Sequence, residues 1–358
     1  MADILIDPLM SGLNSLLDYL SQHVLTCLIP AFFIAGAIAA FIKKDAILKY
    51  FGPRTKKYIS YPVAAVSGTV LAVCSCTILP LFAGIYKKGS GLGPATTFLF
   101  SGPAINVLAI VYTAQVLGYD IGLARAVTAV LLSVVIGLCM SVIFRKEEEK
   151  RASETSELKL PAMGSAGEER PRWVVPSFFV LLIAILLIGS SKLDWVPKLA
   201  LVYVLTLAVA VILIYFFHRD EVTEWGMETW ELTKKIFPIL IAGTFVVGVI
   251  AYFIPAESFR PYLGGNSLPS TFLASIIGAL LYMPTLLEVP IIGTTFGYST
   301  GVMGGGPALA LLLTGPSLSI PSIVVLYRLM GARKTAVYIL LVVAFSTIVS
   351  FAYGQLFG

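Results

Sequence analysis

Two cysteines separated by one residue, Cys74 and Cys76, stand with Ser75 and Thr77 in the apolar run LAVCSCTILPLFAG. Thiolates are soft ligands, suited to soft ions and thiophilic compounds. On a regular helix, residues i and i+2 point in nearly opposite directions, so the two sulfurs share a ligand only where the backbone turns. Pro80 follows and favours such a break. We predict a substrate-binding group of these four residues; the alternative is that the cysteines are ordinary small packing residues.

A carboxyl group is predicted to act beside this group. Glu288, in MPTLLEVPIIG, is the acidic residue that lies well inside an apolar run. A charge at the centre of a bilayer costs about 2.5–3.5 kcal/mol even on the lenient insertion scale. A carboxyl group at this depth is able to bind a proton, which makes Glu288 the predicted coupling residue. The alternative is a carboxylate near the membrane interface that is hydrogen-bonded to a loop.

Two Gly-Pro pairs predict further helix breaks, in SGPAIN (101–106) and TGPSLS (314–319). Such breaks free backbone groups that neighbouring side chains or a solute can satisfy. Asn106 and Ser319 follow the two pairs and are predicted to bind substrate or to satisfy the backbone. The residues predicted to break helices are Pro80, Gly102, Pro103, Pro284, Pro290, Gly315 and Pro316.

The composition places these residues in a membrane protein. Of 358 residues, 58% are hydrophobic and 13% are charged, and the mean hydropathy is +0.90, whereas soluble domains are about 45–50% apolar and about 25% charged. The net charge of +5 lies in short loops, so it does not indicate nucleic-acid binding. The two histidines are too few for a histidine metal site, and no Walker motif is present. We expect no metal and no cofactor, and an ion or proton gradient or another subunit as the driving force.

Apolar runs and charged stretches predict the organisation of the chain. A membrane span needs about 20 apolar residues, and the stretch after residue 144 is charged and poor in large apolar groups, which is typical of disorder. The predicted units are an amphipathic N-terminal segment (1–22), a first transmembrane repeat (23–144), a disordered cytoplasmic loop (145–172), two linking transmembrane helices (173–217), a cytoplasmic loop (218–235) and a second transmembrane repeat (236–358).

The positive charges predict the sidedness. Basic clusters occur at 43–57, 87–88, 145–172 and 328–334, and such clusters favour the cytoplasmic side. All four clusters lie on the cytoplasmic side only if 58–86 enters the membrane from the cytoplasm and returns to it. The same reasoning makes 267–298 a hairpin that enters from outside. We therefore predict an all-α polytopic protein of the cell membrane with about eight transmembrane helices plus two re-entrant hairpins, and with both termini outside.

The chain also repeats itself. SGTVLAVCSCTILPLFAG aligns with IGALLYMPTLLEVPIIGT, which places Gly68 on Gly278 and Pro80 on Pro290. Further along, Gly93-Pro94-Ala95 aligns with Gly306-Pro307-Ala308, and SGPAIN with TGPSLS. With the predicted sidedness, the repeats have inverted topology. Inverted repeats with broken helices are typical of secondary transporters, whose substrate site lies near the bilayer midplane.

With these motifs, the chain resembles the predicted-permease family (UPF0718/DUF318-like) that includes the ArsP-type organoarsenical exporters. The resemblance rests on CSCTILPLFAGIYKKGSGLGPATTFLFSGPAIN (74–106) and its weaker echo at 283–331, and it covers most of 24–357. It implies a thiol-binding role for Cys74 and Cys76 and trivalent organoarsenicals as the substrate class. Two thiols would let such a substrate step between ligands and be released.

Three classes of function remain as hypotheses. The first is a secondary-transporter-like permease, not an enzyme, that exports a small thiophilic solute, with the lipid bilayer and a second copy of the chain as the other expected partners. A variant of it moves another sulfur- or metal-containing solute. The second is a membrane thiol–disulfide oxidoreductase, although such enzymes more typically carry Cys-x-x-Cys at a helix start. The third, an assembly subunit, explains neither the repeat nor Glu288.

Overall fold

The computed structural model describes residues 2–20, 28–41, 49–52, 55–71, 75–149, 171, 173–189, 194–253, 261–281 and 288–357. These residues are helical, with isolated bridges of Gly264 and Gly265 to Met303 as their only β-type pairing, so the predicted all-α class is confirmed. The helices are α1 (Ala2–Tyr19), α2 (Ile29–Phe41), α3 (Lys57–Leu71), α4 (Ser75–Lys87), α5 (Leu92–Ala104), α6 (Val107–Val116), α7 (Tyr119–Ile143), α8 (Val174–Gly189), α9 (Trp195–Phe216), α10 (Arg219–Phe253), α11 (Leu268–Leu280), α12 (Gly305–Thr314), α13 (Ile320–Met330) and α14 (Ala332–Phe357).

Three helices are long and apolar enough to cross a membrane among the described residues: Tyr119–Ile143, Val196–Phe216 and Ala332–Phe357. The pair α5 and α6 is bent at its break and makes a fourth if it is counted as one span. Several shorter apolar helices accompany them, including α2, α8, α11 and α12. The finer count of about eight spans with two hairpins stays a prediction.

In the first half of the chain, the apolar region 58–117 forms four short helices. Helix α3 packs against α5, and α5 packs against α7, while α6 folds back onto α7. The reversal between α6 and α7 occurs at Gly118, whose φ of +119° is a conformation that residues with a side chain rarely adopt. The glycine therefore allows two apolar helices to lie side by side.

The second half of the chain also packs as neighbouring short helices against a long one. Helix α11 packs against α12, α12 against α14, and α13 against α14. The turn between α13 and α14 occurs at Gly331, with a φ of +84°. Between α11 and α12 lie a three-residue helical turn, Glu288–Pro290, and a π-helical turn, Ile291–Thr295.

Two glycines allow neighbouring helices to approach closely. A Cβ added to Gly68 of α3 would collide with the hydroxyl of Ser101 on α5, and a Cβ added to Gly278 of α11 would collide with the hydroxyl of Thr314 on α12. In both places the backbone of the following glycine, Gly102 or Gly315, lies within about 3 Å of the added atom. Helices approach this closely only where one of them lacks a side chain.

Helix α10 includes a segment that was predicted to be a loop. The segment 218–235, predicted to be a loop, is helical from Arg219 and forms the first half of the 35-residue α10. Its apolar side chains Trp225 and Leu232 recur at helical spacing and are buried, and the Trp225 indole donates a hydrogen bond to the Phe33 carbonyl of α2. Burial of this stripe explains why the charged segment folds as a helix.

The N-terminal segment packs along the second half of α10. The Ser11 hydroxyl of α1 donates to the Gly248 carbonyl of α10, and Gly12 fits against Val249 and Phe245. The opposite side of α1 exposes apolar side chains, among them Leu9, Met10, Leu13 and Leu17. One side of α1 therefore packs on α10, and the other side presents apolar side chains.

Charged residues from distant parts of the chain gather at one end of the molecule. Just after α7, Glu147 lies 3.0 Å from Arg333 and 3.6 Å from Lys334 of α14, and Glu148 accepts a hydrogen bond from the Leu92 backbone at the start of α5. Near them, Lys87 at the end of α4 pairs with Glu228 of α10. Most of the predicted loop 145–172 lies outside the described residues.

Candidate functional site

A buried ion pair joins the two halves of the chain. The guanidinium of Arg125, on α7, lies 2.5 Å from the carboxylate of Glu288, atom Nη2 to atom Oε1, and both side chains have an exposed fraction of 0%. Apolar side chains surround the pair, including Ile121, Val289 and Ile292. Two opposite charges so deeply buried define the candidate site, because buried charges are costly unless they are paired.

The α6–α7 hairpin positions Arg125. Gly122 of α7 has no side chain, and Ala114 of α6 occupies the space that a Cβ would need. This contact brings Thr113 next to Arg125, so that Nη1 of Arg125 donates a 2.8 Å hydrogen bond to the Thr113 hydroxyl. That hydroxyl donates in turn to the Ala109 carbonyl within α6, at 2.7 Å. Thr113 thereby fixes the direction of the guanidinium.

Glu288 is positioned by the turn that it begins. It is the first residue of the Glu288–Pro290 turn, which packs against α6. Apart from their contact with Arg125, the carboxylate oxygens of Glu288 have no hydrogen-bond partner among the described residues. The two charges compensate each other, and loss of either leaves the other buried without compensation.

Sequence reasoning missed Arg125, although a signal was present. Arg125 is the one charged residue inside the apolar stretch 121–144, at the end of the predicted first transmembrane repeat. A lone arginine at that depth predicts an acidic partner, and Glu288 is the acidic residue within an apolar run. The prediction treated the carboxyl group alone and did not consider this pairing.

The predicted cysteine group falls partly outside the described residues. Cys74 lies outside them, and of Ser75 and Cys76 only the backbone is described, at the start of α4. The Thr77 side chain is buried, with an exposed fraction of 1%. Their role in binding substrate remains a prediction.

Asn106 and Ser319 begin corresponding helices. The Asn106 side chain accepts a hydrogen bond from the Ala109 backbone, at 3.4 Å, in the first turn of α6. The Ser319 hydroxyl likewise accepts from the Ser322 backbone, at 3.4 Å, and lies 2.8 Å from the Ser322 hydroxyl. Both side chains cap helix N-termini, which is the backbone-satisfying alternative considered for them; substrate binding by either residue is untested.

The predicted helix-breaking residues have mixed outcomes. Helix α5 contains Gly102 and ends at Ala104, one residue after Pro103, and Gly315 caps α12 with Pro316 in the following turn. Pro290 ends the Glu288–Pro290 turn, and Pro284 lies outside the described residues. The prediction that Pro80 breaks a helix was wrong, because Pro80 lies inside α4. A proline near a helix start removes only one backbone hydrogen bond, and burial of Leu79, Leu81 and Phe82 supports the helix there.

The described residues contain no group of three or more His, Cys, Asp or Glu side chains that could hold a metal ion. Among the described residues, the polar groups that contact one another at the site are the ion pair and the hydroxyl of Thr113. Together with the apolar helices, they define a helical membrane protein with a charged pair inside its helical bundle.

The chain belongs to a family of predicted permeases. The family model described as a predicted permease, ArsP_1, matches residues 9–355. The UPF0718 protein MJ0584 of Methanocaldococcus jannaschii is 47% identical over 354 residues, which cover 96% of this chain and 94% of that protein.

More distant relatives cover less of the chain. The UPF0718 protein YraQ of Escherichia coli is 23% identical over 307 residues, which cover 84% of this chain and 68% of that protein. The UPF0718 protein YcgR of Bacillus subtilis is 22% identical over 144 residues, which cover 40% of this chain and 48% of that protein. No solved structure matches the chain significantly.

Proposed function

We propose that this protein is a gradient-driven transporter of the cell membrane that exports a small thiophilic solute, with trivalent organoarsenicals as the substrate class. Cys74 and Cys76 supply the thiol ligands, and Glu288 is the coupling residue. The membership in a predicted permease family supports the transport function. The substrate class follows from the soft character of thiolates and from the resemblance to ArsP-type exporters.

The observation that carries the transporter architecture is the matching packing of the two halves. Gly68 and Gly278, aligned in the sequence, meet equivalent partners, Ser101 and Thr314. Gly118 and Gly331 close equivalent hairpins, and α4 packs against α13 as the Glu288–Pro290 turn packs against α6. These matching contacts support the proposed repeats, and with them a transporter that alternates between two arrangements around a central site.

The charged end of the molecule supports the proposed sidedness. Three of the four regions that the positive-inside rule places on the cytoplasmic side meet at this end. They are represented there by Lys87, Glu147 and Lys334. In particular, Lys334 reaches the hydroxyl of Tyr86, the neighbour of Lys87. A cytoplasmic location of this end therefore satisfies the rule for several basic clusters at once.

Methylarsenite uptake into energised everted vesicles tests the proposal. We expect uptake with the wild type and with Cys139→Ser, a control that removes a free cysteine outside the proposed group. The double variant Cys74→Ser/Cys76→Ser should insert normally and show no uptake. Equal uptake by the double variant would remove the ligand role of the two cysteines, and no uptake by the wild type would direct the search to another solute.

The oxidoreductase hypothesis requires a Cys74–Cys76 pair that is redox-active. Redox titration distinguishes it from the transporter. A Cys74–Cys76 pair that cycles between dithiol and disulfide with a quinone would favour the enzyme. Thiols that stay reduced during methylarsenite transport would favour the transporter.

A further inference from the structure

The Arg125–Glu288 pair is the feature of the site that the proposed function uses least. It joins a long helix of the first half, α7, to the turn of the second half that aligns with α4. Both side chains are fully buried. The pair is therefore a bridge between the two units whose relative movement transport requires.

The equivalent place in the other half carries no charge. The register that aligns Gly118 with Gly331 places Arg125 on Tyr338, and the register that aligns Pro80 with Pro290 places Ile78 on Glu288. Tyr338 and Ile78 are both buried. A symmetric fold thus carries one ionic bridge and, at the related position, an apolar residue and a tyrosine. Packing alone would not require this difference.

The electrostatics of the site make the bridge sensitive to a proton. Thr113 donates no hydrogen bond to Glu288, and Arg125 is the one partner that the described residues provide for the carboxylate. Protonation of Glu288 removes the attraction and leaves the arginine charge unbalanced in an apolar environment, which favours separation of the two segments. Among the described residues, other titratable groups lie near the apolar side chains Ile121, Val289 and Ile292 that flank the pair. They are Tyr112 of α6, Tyr298 after the π-helical turn, Tyr353 of α14 and Asp120 of α7.

We propose that Arg125 competes with a proton for Glu288, and that this competition opens and closes the contact between the α6–α7 hairpin and the 288–295 turn. The inference rests on the proposed transport function and adds the positioning residues, Arg125 and Thr113, through which the coupling residue acts. With Glu288 ionised, the bridge holds the two segments together, as the structure shows. With Glu288 protonated, the segments separate, so the two arrangements of the transporter differ by one bound proton.

The distance between the two segments tests this inference directly. Leu123 on α7 and Thr294 in the π-helical turn are both exposed. Spin labels at Leu123→Cys and Thr294→Cys, in full-length protein whose native cysteines are changed to serine, report the separation in liposomes over a range of pH. We expect a second, longer distance to appear on acidification and to be absent at every pH when Arg125→Gln and Glu288→Gln are added together.

The control is the exposed pair Arg145 and Glu149, which form an ion pair four residues apart. Arg145→Gln/Glu149→Gln removes the same two charge types and should leave the pH response unchanged. Arg125→Lys keeps a charge with weaker hydrogen bonding, so the transition should move to higher pH. A distance that does not depend on pH, or a response that persists without the bridge, would overturn the inference.

This experiment is independent of the substrate and of the cysteines. A pH-dependent opening in a protein that moves no methylarsenite would contradict the proposed function and leave the inference intact. Methylarsenite transport by a protein whose distance between the two spin labels is constant with pH would support the proposed function and contradict the inference. The two failures are therefore distinguishable.

Discussion

Arg125 and Glu288 show how two isolated charges become one structural unit. Each is exceptional in its own apolar segment, and each is tolerated because the other is present. Sequence reasoning identified the carboxyl group from its apolar surroundings but did not assign its partner, because the pairing depends on the α6–α7 hairpin and on the contact of that hairpin with the 288–290 turn. The hydrogen bond from Arg125 to Thr113 has the same origin. The sequence marks each charge as exceptional, but the geometry of their contact depends on how distant segments pack.

A double-mutant cycle measures the interaction of the two charges. Arg125→Gln or Glu288→Gln alone should lower the free energy of unfolding by about 3–5 kcal/mol, because each leaves an unpaired buried charge. The double variant should lose less than the larger single effect, since no charge remains unpaired. The readout is thermal unfolding in detergent. Additive losses in the double variant would show that the two side chains do not interact.

In each half of the chain, one glycine, Gly68 or Gly278, permits two helices to approach closely. The alignment of Gly68 with Gly278 was available from the sequence, and the structure gives both glycines a hydroxyl-bearing neighbour. The boundaries were harder to predict: Pro80 was expected to break a helix and lies within one, while 218–235 was expected to be a loop and is helical. In both cases burial of apolar side chains outweighs a local signal.

Alanine substitutions test this close packing. Gly68→Ala and Gly278→Ala should each destabilise the protein by about 1–3 kcal/mol through overpacking. Gly226→Ala on α10 is the matched control, since no atom lies within 4 Å of the added Cβ, and it should be neutral or stabilising by up to about 1 kcal/mol.

The hydroxyl neighbours make this prediction sharper. Thr314→Ala should rescue part of the loss in Gly278→Ala, because it removes the nearest clash and leaves tight contacts of 3.1 Å to the Gly315 nitrogen and 3.2 Å to the Cβ of residue 314. Ser101→Ala should rescue Gly68→Ala less well, since the Gly102 nitrogen lies at 2.8 Å. Equal stability of all these variants in detergent unfolding would contradict the packing argument.

At the scale of the whole molecule, composition established the class of protein and the repeat suggested its architecture. The charged end formed by Lys87, Glu147 and Lys334 agrees with the basic clusters that the positive-inside rule uses. The number of spans depends on short helices of 10–17 residues such as α2 and α11, and length alone does not separate a short span from a re-entrant segment. Sidedness is therefore the property of the molecule that an experiment decides best.

Labelling of the two ends of α7 tests the sidedness. Tyr119 at its start is 80% exposed, and the side chain of Arg145 just after its end is 78% exposed. In a variant without native cysteines, a membrane-impermeant maleimide should label Tyr119→Cys in intact cells and Arg145→Cys only in everted vesicles. The opposite pattern would invert the proposed orientation, and labelling of both from one side would mean that α7 does not cross the membrane.

Gradient-driven transport of a thiophilic solute is the function that we propose for this protein. Methylarsenite accumulation by the purified protein in liposomes, with an imposed pH gradient and no nucleotide, measures that transport directly. We expect accumulation above the external concentration in one gradient direction, and its collapse when an uncoupler is added. Mere equilibration of methylarsenite, unaffected by the gradient or the uncoupler, would contradict gradient-driven transport.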